Sequence, residues 1–319
     1  MTMSFNPKAQ SAFKKLGAAT LFTVAIVAVA TMFIACHHTA DNAGSGSGGD
    51  AETSPTYTVG GISFTMKDIA AVDNVTLGHA DVTDNNPHKA SLSAYRIGEA
   101  EVTQELWKAV MGDNPSGFDG KPDGTEVQGK RPVERVSWYS CIVFCNELTK
   151  KINGSDAECV YTFEGRAYGK DEAEAEKKPE MNMAKKGFRL PTEAEWEWAA
   201  MGGQEHKWAG VNDVDKLADY AWYKANSNAK THEVKKKEAN GYGLYDMSGN
   251  VAEWCWDRYD DLPETPEKDY AGPVSEGPHV FRGGSFNEEE TDNLARAFRN
   301  ASDPDDGGND IGFRLALRP

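Results

Sequence analysis

Few residues in this chain have the type and spacing for chemistry. After Cys36 only Cys141, Cys145, Cys159 and Cys255 remain. The thiolate is the nucleophilic and metal-binding form of cysteine, so each thiol is a first place to look for a reaction. Cys141 and Cys145 stand four apart and share one face of an expected helix, but no histidine lies nearby in sequence to complete a metal site. An even count in an exported chain permits disulfides, with three pairings open. Buried thiols acting as small apolar side chains are the simpler reading. His79, His88, His206, His232 and His279 show no ligand spacing and read as core or surface residues. His37 and His38 are adjacent to each other in a segment with no folded context. Glu195, Glu197 and Glu253 supply carboxylates, yet nothing pairs them at a spacing that would mark acid–base catalysis. The last forty residues are the most patterned: Val280-Phe281-Arg282-Gly283-Gly284-Ser285-Phe286-Asn287, then Arg296-Ala297-Phe298-Arg299-Asn300, then Asp310-Ile311-Gly312-Phe313-Arg314-Leu315. They hold no cysteine, and the residues between the blocks are small, polar and acidic.

The elements that must position these residues follow from the apolar pattern. Short strands with turns are expected within 57–98, at Tyr57-Thr58-Val59, Ile62 to Met66 and Leu92 to Ile97. Thr103 is placed to cap a helix that stops near Met111-Gly112. Ser137 is placed to cap a second, whose buried face includes Ile142 and Cys145 and which ends at Asn153-Gly154. Thr192 and Glu195 have capping-box spacing at the head of a third, which Gly202-Gly203 ends. The Glu- and Lys-rich stretch 164–186 reads as a solvated insertion loop with no function assigned to it. Beyond the third helix, Gly, Asn, Asp and aromatic residues point to long loops between short strands.

Targeting and charge bound the function. Lys8, Lys14 and Lys15 precede an apolar run from Leu16 to Ala35, with no acidic residue before Cys36. That order reads as a secretory signal over residues 1–35. Cys36 is then the lipidation position of a bacterial lipobox, although Phe33 and Ile34 depart from its usual residues. An uncleaved anchor helix is the alternative, since about 20 apolar residues span a bilayer. Residues 36–55 carry a Gly/Ser tether that behaves as a flexible coil. Residues 56–319 make one large domain, with eight tryptophans, eleven tyrosines and thirteen phenylalanines in the chain for a core. The formal charge of −16 argues against nucleic acid, which is bound through Lys and Arg clusters, and against anionic lipid surfaces. It favours a polar or basic partner.

Four blocks resemble the formylglycine-generating-enzyme (sulfatase-modifying factor) family, in the family's own order. They are Glu101-Val102-Thr103-Gln104, Gly187 to Trp196, Gly243-Leu244-Tyr245-Asp246-Met247-Ser248-Gly249-Asn250-Val251-Ala252-Glu253-Trp254, and the Arg282 to Arg314 end. The resemblance implies an α+β fold of the C-type lectin type, with two main helices on a small twisted antiparallel sheet and long loops forming one face. Oxidising members carry a pair of cysteines in the last segment, which this chain lacks, so it implies no enzyme of that kind. The iron-dependent sulfur-transfer members need a His-rich N-terminal domain, where this chain has signal and tether. The third branch is most similar: the variable proteins of diversity-generating retroelements, exported lipoproteins of the treponemal type, in which a C-terminal segment is rewritten at adenine-containing codons.

By that resemblance the variable segment is about 282–314. Arg282, Gly283, Gly284, Arg299, Ile311, Gly312 and Phe313 hold the backbone, while Phe286, Asn287, Ala301, Ser302, Asp306, Gly308, Asn309 and Asp310 face a protein ligand. Relatives of the oxidase type carry calcium in the third block, which implies ligation by the Asn250 and Glu253 side chains and the Val251 and Cys255 carbonyls. Asn226 matches part of a second calcium site whose later Asp-x-Phe is absent. The Glu-Pro-Asn and Gln-Pro-Asp tripeptides of sugar-binding lectins are absent too, which disfavours carbohydrate. The expected function is a non-catalytic ligand-binding lipoprotein on the outer membrane or cell surface, with the periplasmic face as the alternative. A fixed envelope protein, or an enzyme of the family with an unrecognised site, are the competing readings.

Overall fold

The chain enters its first sheet through a two-residue hairpin. β1 (Thr56–Val59) turns at Gly60 and Gly61 into β2 (Ile62–Ile69), with Val59 opposite Ile62. Both glycines have positive φ, 57° and 82°, as a turn matched to the twist of its strands requires. The computed structural model describes residues 54–319 apart from Lys121, Asp123, 264–266 and 274–275. The signal, Cys36 and all but the end of the tether lie outside the described residues.

Further strands are β3 (Val72–Leu77), β4 (His88–Leu92), β5 (Tyr95–Gly98), β6 (Tyr161–Phe163), β7 (Arg166–Ala167), β8 (Glu180–Met181), β9 (Ala252–Arg258), β10 (His279–Arg282), β11 (Arg299–Ser302), β12 (Ile311–Gly312) and β13 (Ala316–Leu317). One sheet has the order β1-β2-β5-β13, so the last strand closes on the N-terminal ones. A second has the order β11-β10-β9-β12, antiparallel except where β12 runs parallel to β9. β3 and β4 pair alone, and β7-β6-β8 form a small sheet.

The helices end where the sequence puts their caps. α1 (Gln104–Met111) starts on the Thr103 hydroxyl and stops at Gly112, φ 94°. α2 (Trp138–Asn153) starts on Ser137 and stops at Gly154, φ 71°. α3 (Lys170–Glu174) is one short turn, and α4 (Glu193–Met201) begins with the Thr192–Glu195 capping box. α5 (Leu217–Tyr220) is another single turn. The architecture is the mixed α+β one expected, with few helices and curled antiparallel sheets. Two expectations change. Residues 164–186 fold as β7, α3 and β8 rather than as a bare loop, because Tyr161–Phe163 offers both its edges for pairing. The β3–β4 hairpin was not expected; its alternation is blunted by Asp73, Asn74 and Lys89 on the solvent side.

Trp138, Trp196 and Trp254 are fully buried, and Trp107 stacks on Phe144 at 5.2 Å. The four cysteines of the described residues are free thiols and buried, as small core side chains. Burial pushes each of them above its usual range, Cys159 to about 11. An ionic layer runs through the same interior. Arg189 lies in a bidentate pair with Glu195 at 2.6 and 2.7 Å, so one carboxylate closes the capping box and neutralises a buried cation. Glu193 accepts from Arg282 at 2.5 Å and from Arg299 at 2.7 and 2.9 Å; Glu197 accepts from Arg282 and Arg296, both at 2.8 Å. Burial alone would raise these two carboxyls, yet the arginines hold both below the usual range. Removing one partner of a buried pair leaves an uncompensated charge and costs about 3–5 kcal/mol. Glu193→Gln is therefore expected to destabilise the domain by roughly that amount in urea titration. Glu289→Gln, at an exposed pair with Lys224, is expected to leave the midpoint unchanged.

Candidate functional site

The C-terminal segment is held from beneath. Arg282 ends β10, Arg299 opens β11 opposite it, and Arg296 lies between them, all three bound to α4. Gly283 and Gly284 turn the chain away from β10 at φ 88° and 64°, and a Cβ on Gly284 would stand 2.6 Å from the Asn293 carbonyl. Ile311, Gly312 and Phe313 are buried, and Arg314 joins Glu253 at 2.6 Å through both carboxylate oxygens. Arg282, Gly283, Gly284, Arg299, Ile311, Gly312 and Phe313 thus form a buried frame around the connecting loops.

The positions expected on the exposed face divide. Asn287, Asp306 and Asn309 are exposed, and Ala301, Ser302 and Gly308 are half-buried. Phe286 and Asp310 do not belong there and are corrected. Phe286 is 3% exposed, with its ring edge-on to Phe118 at 5.2 Å, because an aromatic side chain leaving the Gly283-Gly284 turn gains more from burial than from solvent. Asp310 is 7% exposed; its carbonyl accepts from the Ala252 N–H at 2.8 Å, and burial raises its carboxyl. Gly308 is crowded as well, since a Cβ there would stand 2.5 Å from Asp310 Oδ1. The loop between β11 and β12 is pinned at its base. The Arg135 N–H donates to the Gly308 carbonyl at 2.9 Å, and Ser302 Oγ donates to Asp306 at 2.6 Å.

The calcium set fails on its donors. Both Glu253 oxygens take Arg314, and Oε2 also takes the Trp196 indole at 2.6 Å. Asn250 Oδ1 accepts from the His232 N–H at 2.9 Å, and its amide donates to Glu101 and to the His232 carbonyl. The Cys255 carbonyl accepts from the Trp138 indole at 2.9 Å. Asn250, Val251, Glu253 and Cys255 sit on or just before one strand, and the Asn250, Glu253 and Cys255 oxygens of the set already face N–H donors. They do not fit calcium. Asn226 instead caps its own turn, accepting from Tyr223 N–H and donating to the Ala221 carbonyl. Among the described residues no cluster of three or more His, Cys, Asp or Glu side chains is arranged for a metal.

The third block instead carries a buried acid that faces one from the first block. Asp246 is buried at φ 58°; Oδ2 accepts from the Lys235 N–H, while Oδ1 has no partner. Burial pushes its carboxyl up to about 6, with nearby Glu253 adding to the effect. Glu101, buried beside it, is raised as well, by burial first and by Asp246 second. A folded-state value above the unfolded one stabilises below the unfolded value and loses that contribution as pH rises through the folded one. Stability is therefore expected to fall between about pH 4 and pH 7 at this site. Asp246→Asn should flatten that slope and gain up to about 3 kcal/mol at pH 8 while gaining little at pH 4, read by urea midpoints across the pH series.

Sequence reasoning missed the anchors themselves. Glu193 was legible only as a helix-forming residue and Glu197 only as an unpaired carboxylate, although their spacing of four puts both on the face that meets the Arg-Ala-Phe-Arg run. Arg135 and Tyr139, beside the 303–307 loop, carried no motif at all.

The chain is similar to several known proteins. A solved structure, Treponema denticola variable protein 1, is 51% identical with a TM-score of 0.78, covering 84% of this chain and all of that one. Chaperone protein LppX of Paenibacillus barcinonensis is 40% identical over 204 residues, 56% of this chain and 66% of the relative. A formylglycine-generating enzyme of Streptomyces coelicolor is 33% identical over 151 residues, 41% of this chain and 46% of the enzyme. The chain thus spans from under half to just under two thirds of these two curated relatives. The sulfatase-modifying factor enzyme 1-like domain matches residues 53–319, nearly the whole of the described domain, and the chain belongs to that family.

Proposed function

We propose that this domain is a non-catalytic binding protein whose C-terminal segment presents a diversified face to protein ligands. The observation that carries the reading is the division of that segment into a buried frame and exposed intervals. Arg282, Arg296, Arg299 and Arg314 are each tied to a buried glutamate, while Asn287, Asp306 and Asn309 project from loops with no place in the core. Side chains at those three positions can change without touching the packing. The likeness to a variable protein over the whole of that protein's length supports it. Rewriting at adenine-containing codons acts naturally on Asn287 and Asn309, two exposed asparagines.

The chemistry of the thiols supports the non-catalytic part. No cysteine stands within 282–314, and the four in the described domain are buried with their thiols pushed up, the opposite of what a reactive thiolate requires. Attachment through Cys36 to a bacterial outer membrane or cell surface belongs to the same proposal; the LppX relative's name supports an association with lipoprotein-type proteins. Among the described residues no helix is long and apolar enough to cross a membrane. That relative is also named a chaperone, and this favours a second reading, in which the face is fixed and serves one partner.

Sequencing the codons for residues 280–319 across sister cells separates the two. The expected result is substitution at Asn287 and Asn309, unchanged Arg282, Arg299 and Gly312, and a near-copy template close by. An invariant segment without a template would leave the fixed-partner reading standing. For any ligand recovered with the wild-type face, replacing Asn287, Asp306 and Asn309 together by alanine should weaken binding at least about tenfold. The same variant should leave the urea midpoint within about 0.5 kcal/mol.

A further inference from the structure

Beside the 303–307 loop lies an open groove of about 580 Å³. One wall is the C-terminal segment at Asp305 and Gly307, the floor is the first turn of α2 with Trp107, and the far wall is the insertion at α3. The C-terminal wall is fixed to the floor. The Tyr139 N–H donates to the Pro304 carbonyl at 3.4 Å and the Arg135 N–H to Gly308 at 2.9 Å, while a Cβ on Gly307 would stand 3.0 Å from the Arg135 backbone. Trp107, Met111, Pro115, Val136 and Val143 give the groove an apolar body.

Its charge is one-sided. Asp113, Glu174, Glu176 and Asp305 line it against Arg135 and Lys170. Lys170 lies 3.6 Å from Glu174, which balances that pair, and Arg135 lies 3.8 Å from buried Glu134, leaving Asp113, Glu176 and Asp305 as the excess. Tyr139 is half-buried between the walls. Burial raises its phenol; Arg258 opposes this, and Glu176 and Asp305 reinforce it, so a carboxylate from each wall acts on one hydroxyl. Arg258 is itself bound to the Gly277 carbonyl. An aromatic ring with carboxylates to either side, at the mouth of an apolar slot, matches a guanidinium, which stacks on aromatic faces and takes carboxylates through its planar fork.

The geometry points to this groove as a docking site for an arginine side chain of a protein ligand, with Tyr139, Glu176 and Asp305 receiving it. The inference rests on the ligand-binding reading of the adjoining face and adds an anchor to it. Tyr139 and Glu176 lie outside the variable segment, so two of the three groups of the anchor stay constant whatever the face becomes.

The test uses the folded domain, an acetylated and amidated Gly-Gly-Arg-Gly-Gly peptide, and the same peptide with citrulline, which keeps the shape without the charge. Backbone amide shifts are followed at physiological salt. The arginine peptide is expected to move Tyr139, Ser140, Ala173 and Gly307, and citrulline to leave them still. Glu176→Gln and Asp305→Asn should each weaken the titration about tenfold, the loss of one charge-assisted hydrogen bond. Both sites are exposed, and an unchanged spectrum elsewhere shows that each variant is folded. Equal shifts with citrulline, shifts spread over the acidic 288–292 stretch, or a titration indifferent to Glu176→Gln would each overturn the assignment. Asn287→Ala with Asn309→Ala should not alter this titration, so failure of the diversified-face reading and failure of the groove give different results.

Discussion

The pairing of α4 with the arginines of the C-terminal segment is the constraint on which the rest depends. Glu193 and Glu197 face one way from a helix whose third glutamate, Glu195, is bound to Arg189. Three guanidiniums from a short stretch of chain converge on two carboxylates away from water. Ions taken out of water are tolerable only with well-placed partners, and alternative arrangements of the segment would leave a charge unpaired. Apolar residues of equal volume could hold the segment as firmly, but they would admit slippage, since one methyl replaces another at small cost. Ionic anchoring fixes register, and register is what the diversified segment we propose would have to keep.

The same constraint explains how much was legible. Helix starts at Thr103, Ser137 and Thr192 could be read because a cap is a local device: the residue that signals it also makes the bond. The sheet order could not be read locally, since β13 pairs with β5 across more than two hundred positions. The family resemblance carried the fold, and it also carried two misreadings. Asn250 and Glu253 were assigned by their place in a block, whereas their partners, His232, Glu101, Arg314 and Trp196, come from four other parts of the chain. Phe286 was read as exposed because it lies between frame residues; only the position of Phe118 shows that its ring is held. Distance in sequence hid the partners in both cases.

The overall acidity of the chain is spread unevenly in kind. Buried glutamates are matched by arginines, so the interior contributes little net charge. The unmatched excess lies at the surface, much of it in the loops the frame holds out: Glu288, Glu289, Glu290, Asp292, Asp303, Asp305 and Asp306. Only some of these have a basic neighbour, such as Lys224 beside Glu289 and Lys207 beside Asp292. Asp246 and Glu101 are among the interior exceptions, with Asp257 and Asp310, acids whose raised carboxyls make the domain's stability respond to pH.

A rigid frame and a changeable surface place opposite demands on one stretch of chain, and the fold meets them by separating side chains rather than segments. Within residues 282–314 three guanidiniums point to α4 and the fourth, Arg314, to Glu253 on β9, while neighbouring loop residues point to solvent. No cysteine stands within 282–314, and the four thiols of the described residues are buried and pushed up, whereas a reactive thiolate needs exposure and a stabilising positive charge. Binding asks less: a fixed backbone, freely chosen side chains, and a contact that does not change with them. In the docking site we propose, the groove beside Tyr139 supplies the last of these from outside the C-terminal segment, through Glu176 on the insertion. That proposal gives the insertion, which adds no strand to either four-stranded sheet, a place in binding, since it lines the groove opposite the 303–307 loop.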